Sequence, residues 1–213
     1  MTAIMTNDFD TDFSPVAPLA ADLGRGSAGI LAGTKVATGQ GWRPVQAIAE
    51  GDMVLTFDHG MQRVVRVQTH VLTPSGRAEP GALPLYVPVG ALGNLAACIV
   101  MPGQAVLVES DLAEEMLGDA FAAVPAGALD GVEGIEAVLP EGPLTVVTLH
   151  FARDEAVFGA GGVLFVCAGR GNLLLDDVPL YPLLSDDLAR LIVADGVMPA
   201  GTQGVVAGVE AAA

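Results

Sequence analysis

GTKVATGQGWRPVQAIAEGDMVLTFDHGMQRVVRV, residues Gly33–Val67, is the stretch that decides the fold. Thr34–Thr38 reads as a short strand. The Gly39-Gln40-Gly41 turn then returns the chain through Trp42 to a corner at Pro44, a residue that needs no ladder donor. Glu50-Gly51-Asp52 is a second turn signal, because Gly permits positive φ and Asp bonds its own backbone. It precedes an apolar strand, Met53–Phe57. Asp58-His59-Gly60 turns again, and Gln62–Leu72 follows with β-branched Val64, Val65, Val67, Thr69 and Val71. The residues specify hairpins in succession.

Beyond this stretch the pattern continues. LPLYVPVGAL (83–92), ACIVMPGQAVLVES (97–110), LTVVTLHFA (144–152) and AVFGAGGVLFVCAG (156–169) read as strands, with Pro74–Pro84 as a loop. Two helices are expected. One is Asp111–Phe121, with Asp111 as cap and Glu114 completing a capping box. The other lies in SDDLARLIVADG (185–196), with Ser185 as cap and Leu188, Leu191 and Ile192 on its apolar face. The expectation is a mainly β fold with one or two short helices. Residues 1–27 read as an extended arm, 28–195 as the domain and 196–213 as a flexible tail of small residues.

Composition agrees. Of 213 residues 52% are hydrophobic, which excludes general disorder, and 27 Gly with 14 Pro suit many strands joined by tight turns. Nine Lys+Arg against 25 Asp+Glu give a net charge of −16, which makes nucleic acid an unsuitable partner. The start of the chain lacks the basic and apolar regions of a secretory signal, so a cytoplasmic location is expected. Ala156–Gly169 is nearly uncharged but shorter than the roughly 20 residues that span a bilayer. Interrupted by glycines, it reads as a buried strand pair rather than a membrane segment.

The quoted block resembles the Hedgehog/intein-type Hint family, self-cleaving domains that also occur as stand-alone bacterial proteins. Gly33, Thr34, Val36, Thr38, Gly41, Arg43, Pro44, Val45, Gly51, Asp52, Val54, Leu55 and Thr56 match its opening block, and PLYVPVGALGN (84–94) matches a second. The likeness covers about residues 29–170 and implies a fold of pseudo-two-fold paired β-hairpins. It also implies a Cys or Ser nucleophile five residues before Thr34, where Gly29 stands, and a Thr-x-x-His group where Met101-Pro102-Gly103-Gln104 stands. The nucleophile is needed for an acyl shift onto its own side chain. The histidine exchanges protons near neutral pH, and Gln104 cannot. The positions Gly29, Met101 and Gln104 are therefore vacated, and the resemblance implies no self-cleavage. Ser27 lies two residues from the expected place, too far for the adjacent-acyl geometry; Ser27 and Cys98 are the nucleophiles left to an autoprocessing alternative.

Other residues take structural readings. Cys98 and Cys167 lie in apolar strings as core thiols. His59 falls in a solvated turn, His150 is a buried, hydrogen-bonded strand histidine, and His59, His70 and His150 are too scattered to argue for a metal. Asp176-Asp177 and Asp186-Asp187 suit turns and caps, and GRGN (169–172) is too slight for a phosphate loop. Trp42, Phe57, Tyr86 and Phe165 are expected to pack in the body. No cofactor is expected. Phe9, Phe13 and Leu19 in the arm, with Tyr181 and Leu183 in the proline-flanked Val178–Leu184, are the candidates for contact with a partner. The sum is a binding or structural module, an accessory subunit among the protein subunits of a larger assembly, a membrane-associated or respiratory complex being one setting, reached only through a partner.

Overall fold

A computed structural model describes residues 28–73, 81–169, 180–181 and 183–198. Phe9, Phe13, Leu19, Ser27, Asp176 and Asp177 lie outside the described residues.

The quoted block forms β1 (Ile30–Leu31), β2 (Lys35–Thr38), β3 (Gly41–Pro44), β4 (Met53–Thr56), β5 (Gly60–Arg63) and β6 (Arg66–Leu72). β2 pairs with β3 and β4 with β5, both antiparallel. The polar residues of the motif fasten these hairpins to each other. Asp52 Oδ2 accepts from Arg43 Nη1 at 2.9 Å and from the Ala49 N–H at 3.0 Å. Gly51, at φ +95°, supplies the left-handed corner that brings Asp52 round.

Gln62–Leu72 is not the single strand its β-branched run suggests. The chain leaves the ladder at Val64 and Val65, because the Val64 N–H donates to the Asp52 carbonyl (2.9 Å) and its carbonyl accepts from the Gly51 N–H (2.8 Å). With Val64 pinned and buried, β6 departs into a different sheet.

Chain order continues with β7 (Leu85–Val87), β8 (Cys98–Val100), β9 (Ala105–Glu109), α1 (Asp111–Leu117), β10 (Phe121–Pro125), β11 (Glu136–Ala137), β12 (Leu144–His150), β13 (Glu155–Phe158), β14 (Leu164–Cys167) and α2 (Asp186–Asp195). Three sheets result. The largest runs β10-β9-β14-β13-β4-β2-β3, with β5 on β4; the others are β1-β12-β6 and β11-β7-β8. The fold is mainly β with two α-helices among the described residues, as the hairpin signals imply. β13 and β14 are the expected strand pair, and all four residues of β13 are buried. The main core gathers Ile30, Val36, Val54, Leu149, Phe151 and Phe165, with Ile192 of α2 closing it.

Details depart from expectation. Ser110, not Asp111, is the N-cap of α1, and no side-chain capping bond forms at either helix. The acidic residues instead occupy first turns, where the helix dipole favours negative charge. The buried stripe of α2 is Ala189, Ile192 and Val193, at i, i+3 and i+4. Leu191, nearly on the opposite side of the helix from the centre of that stripe, is 52% exposed. Trp42 and Tyr86 are also substantially exposed, Trp42 because β3 is the sheet's edge strand. Phe165 is buried and Phe57 half-buried, its ring 4.8 Å from that of Phe121. After α2 the chain is still tied down at Met198, whose N–H donates to the Glu109 carbonyl at 2.8 Å.

Candidate functional site

Gly29 immediately precedes β1, whose Ile30 faces Val147 across the ladder with β12. It is buried, with φ +131°. A Cβ placed on it would lie 2.5 Å from Val146 Cγ1, 3.0 Å from Thr148 Oγ1 and 3.1 Å from the Val147 carbonyl oxygen. Real Cβ atoms do not approach other atoms at the first of these distances. The residue type that the family's frame puts here would therefore have both no room and the wrong backbone.

Gln104 closes the turn between β8 and β9, where its N–H donates to the Met101 carbonyl at 2.9 Å. It is 4% exposed. Its Oε1 accepts the Gly29 N–H at 3.0 Å, while Nε2 donates to the carbonyls of Ala105 (2.7 Å) and Val166 (2.9 Å). The three partners fix the amide's orientation, since only oxygen can accept from an N–H and only nitrogen can donate to carbonyls. The structure thus brings two of the three positions singled out in the sequence, Gly29 and Gln104, into direct contact across 75 residues. Met101, the third, is fully buried in a cluster with Leu72, Ala82 and Val146, filling with hydrocarbon what the resemblance assigns to a hydroxyl.

The chemical consequence is specific. Any acyl shift at the Ala28–Gly29 bond requires a proton on the Gly29 nitrogen as the bond breaks. Gln104 accepts that nitrogen's hydrogen instead, and it has no proton to give near neutral pH. Its hydrogen bond favours the intact amide.

Beside Gly29 opens a cavity of about 250 Å³ whose wall includes Val147, Leu149, Val166, Asp154, Cys167 and Tyr181. Cys167 is a free thiol pushed up to about 12 by burial, with the nearby Glu155 charge adding to it. Little thiolate is available for attack at neutral pH. Cys98, also free, is only half-buried and does not line this cavity; burial pushes it up to about 11. Asp154 Oδ1 accepts the Gly169 N–H at 2.6 Å. Tyr181 packs beside Leu107, Ala156, Phe158 and Leu164, and its hydroxyl donates to Asp58. Burial, then this bond, raises its pKa strongly. Leu183 also lines the cavity, bridges to Ala123 of β10 and is 60% exposed.

The histidines do not converge. His70 is exposed, and His150 Nε2 lies 2.8 Å from Gln68 Oε1 in a half-buried setting. His59 sits in the expected turn but is not merely solvated. Its Nδ1 lies 3.1 Å from Oε2 of Glu155, a carboxylate 0% exposed whose Oε1 has no partner among the described residues. No group of three or more His, Cys, Asp or Glu able to hold a metal occurs among the described residues. Sequence reasoning missed the obstruction by Val146 and Thr148, the cavity, and the His59–Glu155 pair. A glutamate opening the otherwise apolar run Glu155–Phe158 was the one available signal for the last.

This is a mainly β domain of paired hairpins in which Gly29 and Gln104 meet. Residues 28–164 match the Hint domain family, and the chain belongs to that family. Among solved structures it is similar to a bacterial intein-like domain from Clostridium thermocellum, at 17% identity over 66% of this chain and 99% of that one, with a TM-score of 0.46. It is also similar to the MchDnaB-1 intein, at 19% identity over 64% of this chain and 98% of that one, with a TM-score of 0.38. No curated protein matches it.

Proposed function

We propose that this Hint domain no longer cuts itself and serves as a binding module, an accessory subunit among the protein subunits of a larger cytoplasmic assembly. One observation carries the reading: the Gly29 N–H, the leaving nitrogen of a cleavage there, is held by the buried amide of Gln104 at 3.0 Å where a proton donor would be required. The crowding around Gly29 by Val146 and Thr148 supports it from the nucleophile's side. The strongly acidic chain makes a protein partner a better match than nucleic acid. Contact with a membrane would come through the partner; no helix among the described residues is long and apolar enough to cross one.

Two measurements test it. Intact-mass spectrometry of the purified chain should give one species near 21.6 kDa, with no fragment after prolonged incubation with thiol. Mild affinity purification from the native host should recover stoichiometric companions. Fragments beginning near residue 27, 29 or 98 would return the chain to the self-cleaving class, and recovery as a free monomer would sink the accessory role.

A further inference from the structure

We infer that the cavity beside Gly29 is a socket for one basic side chain, a lysine or an arginine, presented by a partner protein. The inference rests on the accessory-subunit reading and names the chemistry of the contact. At about 250 Å³ the cavity falls below the roughly 300–1,000 Å³ of pockets that enclose drug-sized ligands, so it suits one side chain better than a cofactor. Val147, Leu149 and Val166 give it aliphatic walls, and Asp154 is the charged group at its wall. The bond from Gly169 uses only Oδ1 of that carboxylate. No Lys, Arg or His lines the cavity among the described residues.

Further carboxylates lie behind the wall at Tyr181. Tyr181 at the cavity wall is bonded to Asp58 and feels the charges of Asp119 and Glu155. Arg153, next to Asp154 in the chain, is exposed and is not among the residues that line the cavity. A lysine or arginine lays its methylene stem along apolar surface while its head meets a carboxylate in a charge-assisted bond. An aliphatic side chain would gain only the first contact, and an acidic one would be repelled by Asp154. Arginine is among the side chains that, seated in a pocket, carry much of the energy of a protein interface.

The test uses the full-length chain and four probes: the N-acetyl methylamides of arginine, lysine, norleucine and glutamate. Binding is followed by the amide NMR shifts of Gly29, Val147 and Gly169. The two cationic probes should bind at least about tenfold tighter than norleucine, and glutamate should not bind. Asp154→Asn, which keeps an oxygen for the Gly169 N–H, should erase the preference while leaving thermal unfolding unchanged. In the native host, D154N should recover at least about tenfold less companion than the wild-type chain.

Equal binding of norleucine and the cations overturns the socket, and so does full retention of the companion by D154N. That second result leaves the accessory role standing, whereas a wild-type chain recovered without companions removes the role and the socket's source together. Arg25 stands three residues before Ala28 of the lining and lies outside the described residues; cation binding seen only after Arg25→Ala would assign the cavity to the chain's own arginine and overturn the partner.

Discussion

Gly29→Cys restores the side-chain type that the family's frame places at this position, and the structure sets a magnitude on the result. The new Cβ would sit 2.5 Å from Val146 Cγ1. Val146 is 1% exposed and locked in a cluster with Leu72, Ala82 and Met101, so it cannot swing aside. Overpacking of this kind costs about 1–3 kcal/mol. A φ of +131° adds about 1–3 kcal/mol for a residue with a side chain. The sum, about 2–6 kcal/mol, is a large part of a typical domain's stability of roughly 5–15 kcal/mol.

In urea, with an m-value of about 2 kcal/mol/M, the unfolding midpoint should fall by roughly 1–3 M. Mass spectrometry should show no fragment with or without added thiol. Combining the change with Val146→Ala should relieve the crowding but not the backbone strain, giving a favourable coupling of about 1–3 kcal/mol in a double-mutant cycle. A G29C chain with the wild-type midpoint would refute the steric reasoning. Thiol-triggered release of a fragment starting at residue 29 would refute the chemical reasoning.

Gln104→Leu strands the Gly29 N–H and the carbonyls of Ala105 and Val166, so it should destabilise by about 3 kcal/mol or more in denaturant unfolding. His59→Ala leaves the buried Glu155 without its neighbour and should cost about 1–3 kcal/mol by the same assay. For Cys167 the folded pKa, near 12, lies above the ordinary value of 9.0, so the folded state holds the proton longer than the unfolded state. Its contribution is complete below pH 9 and is lost as pH rises from 9 towards 12; Cys167→Ala should flatten the stability profile across that window. Alkylation of the native chain at pH 7.5 should be slow at Cys98 and slower still at Cys167, with both reacting promptly in denaturant.

The hairpins were legible because their determinants are local. Gly51-Asp52, Arg43-Pro44 and the Gly39–Gly41 turn set backbone angles within a few residues of themselves. The break at Val64 was not legible, because its cause is a bond to Asp52 twelve residues back. Exposure of Trp42 also escaped the pattern, since an aromatic residue on an edge strand looks like one in a core until the sheet order is known. The candidate site divides in the same way. The identities of Gly29, Met101 and Gln104 could be read against a family frame. The contact between Gly29 and Gln104 spans 75 residues, and the crowding atoms come from β12, far along the chain. Neither had a sequence signature.

Gly29 also bears on descent. With Val146 in place, a mutation to cysteine there is harmful before it is useful; with glycine in place, a smaller residue at 146 only opens a hole. The amide at 104 must change as well before any bond could break. Under the proposed function, a return to cutting would need changes at Gly29, Met101, Gln104 and Val146, and those at Gly29 and Val146 are each costly alone, so the arrangement works like a ratchet.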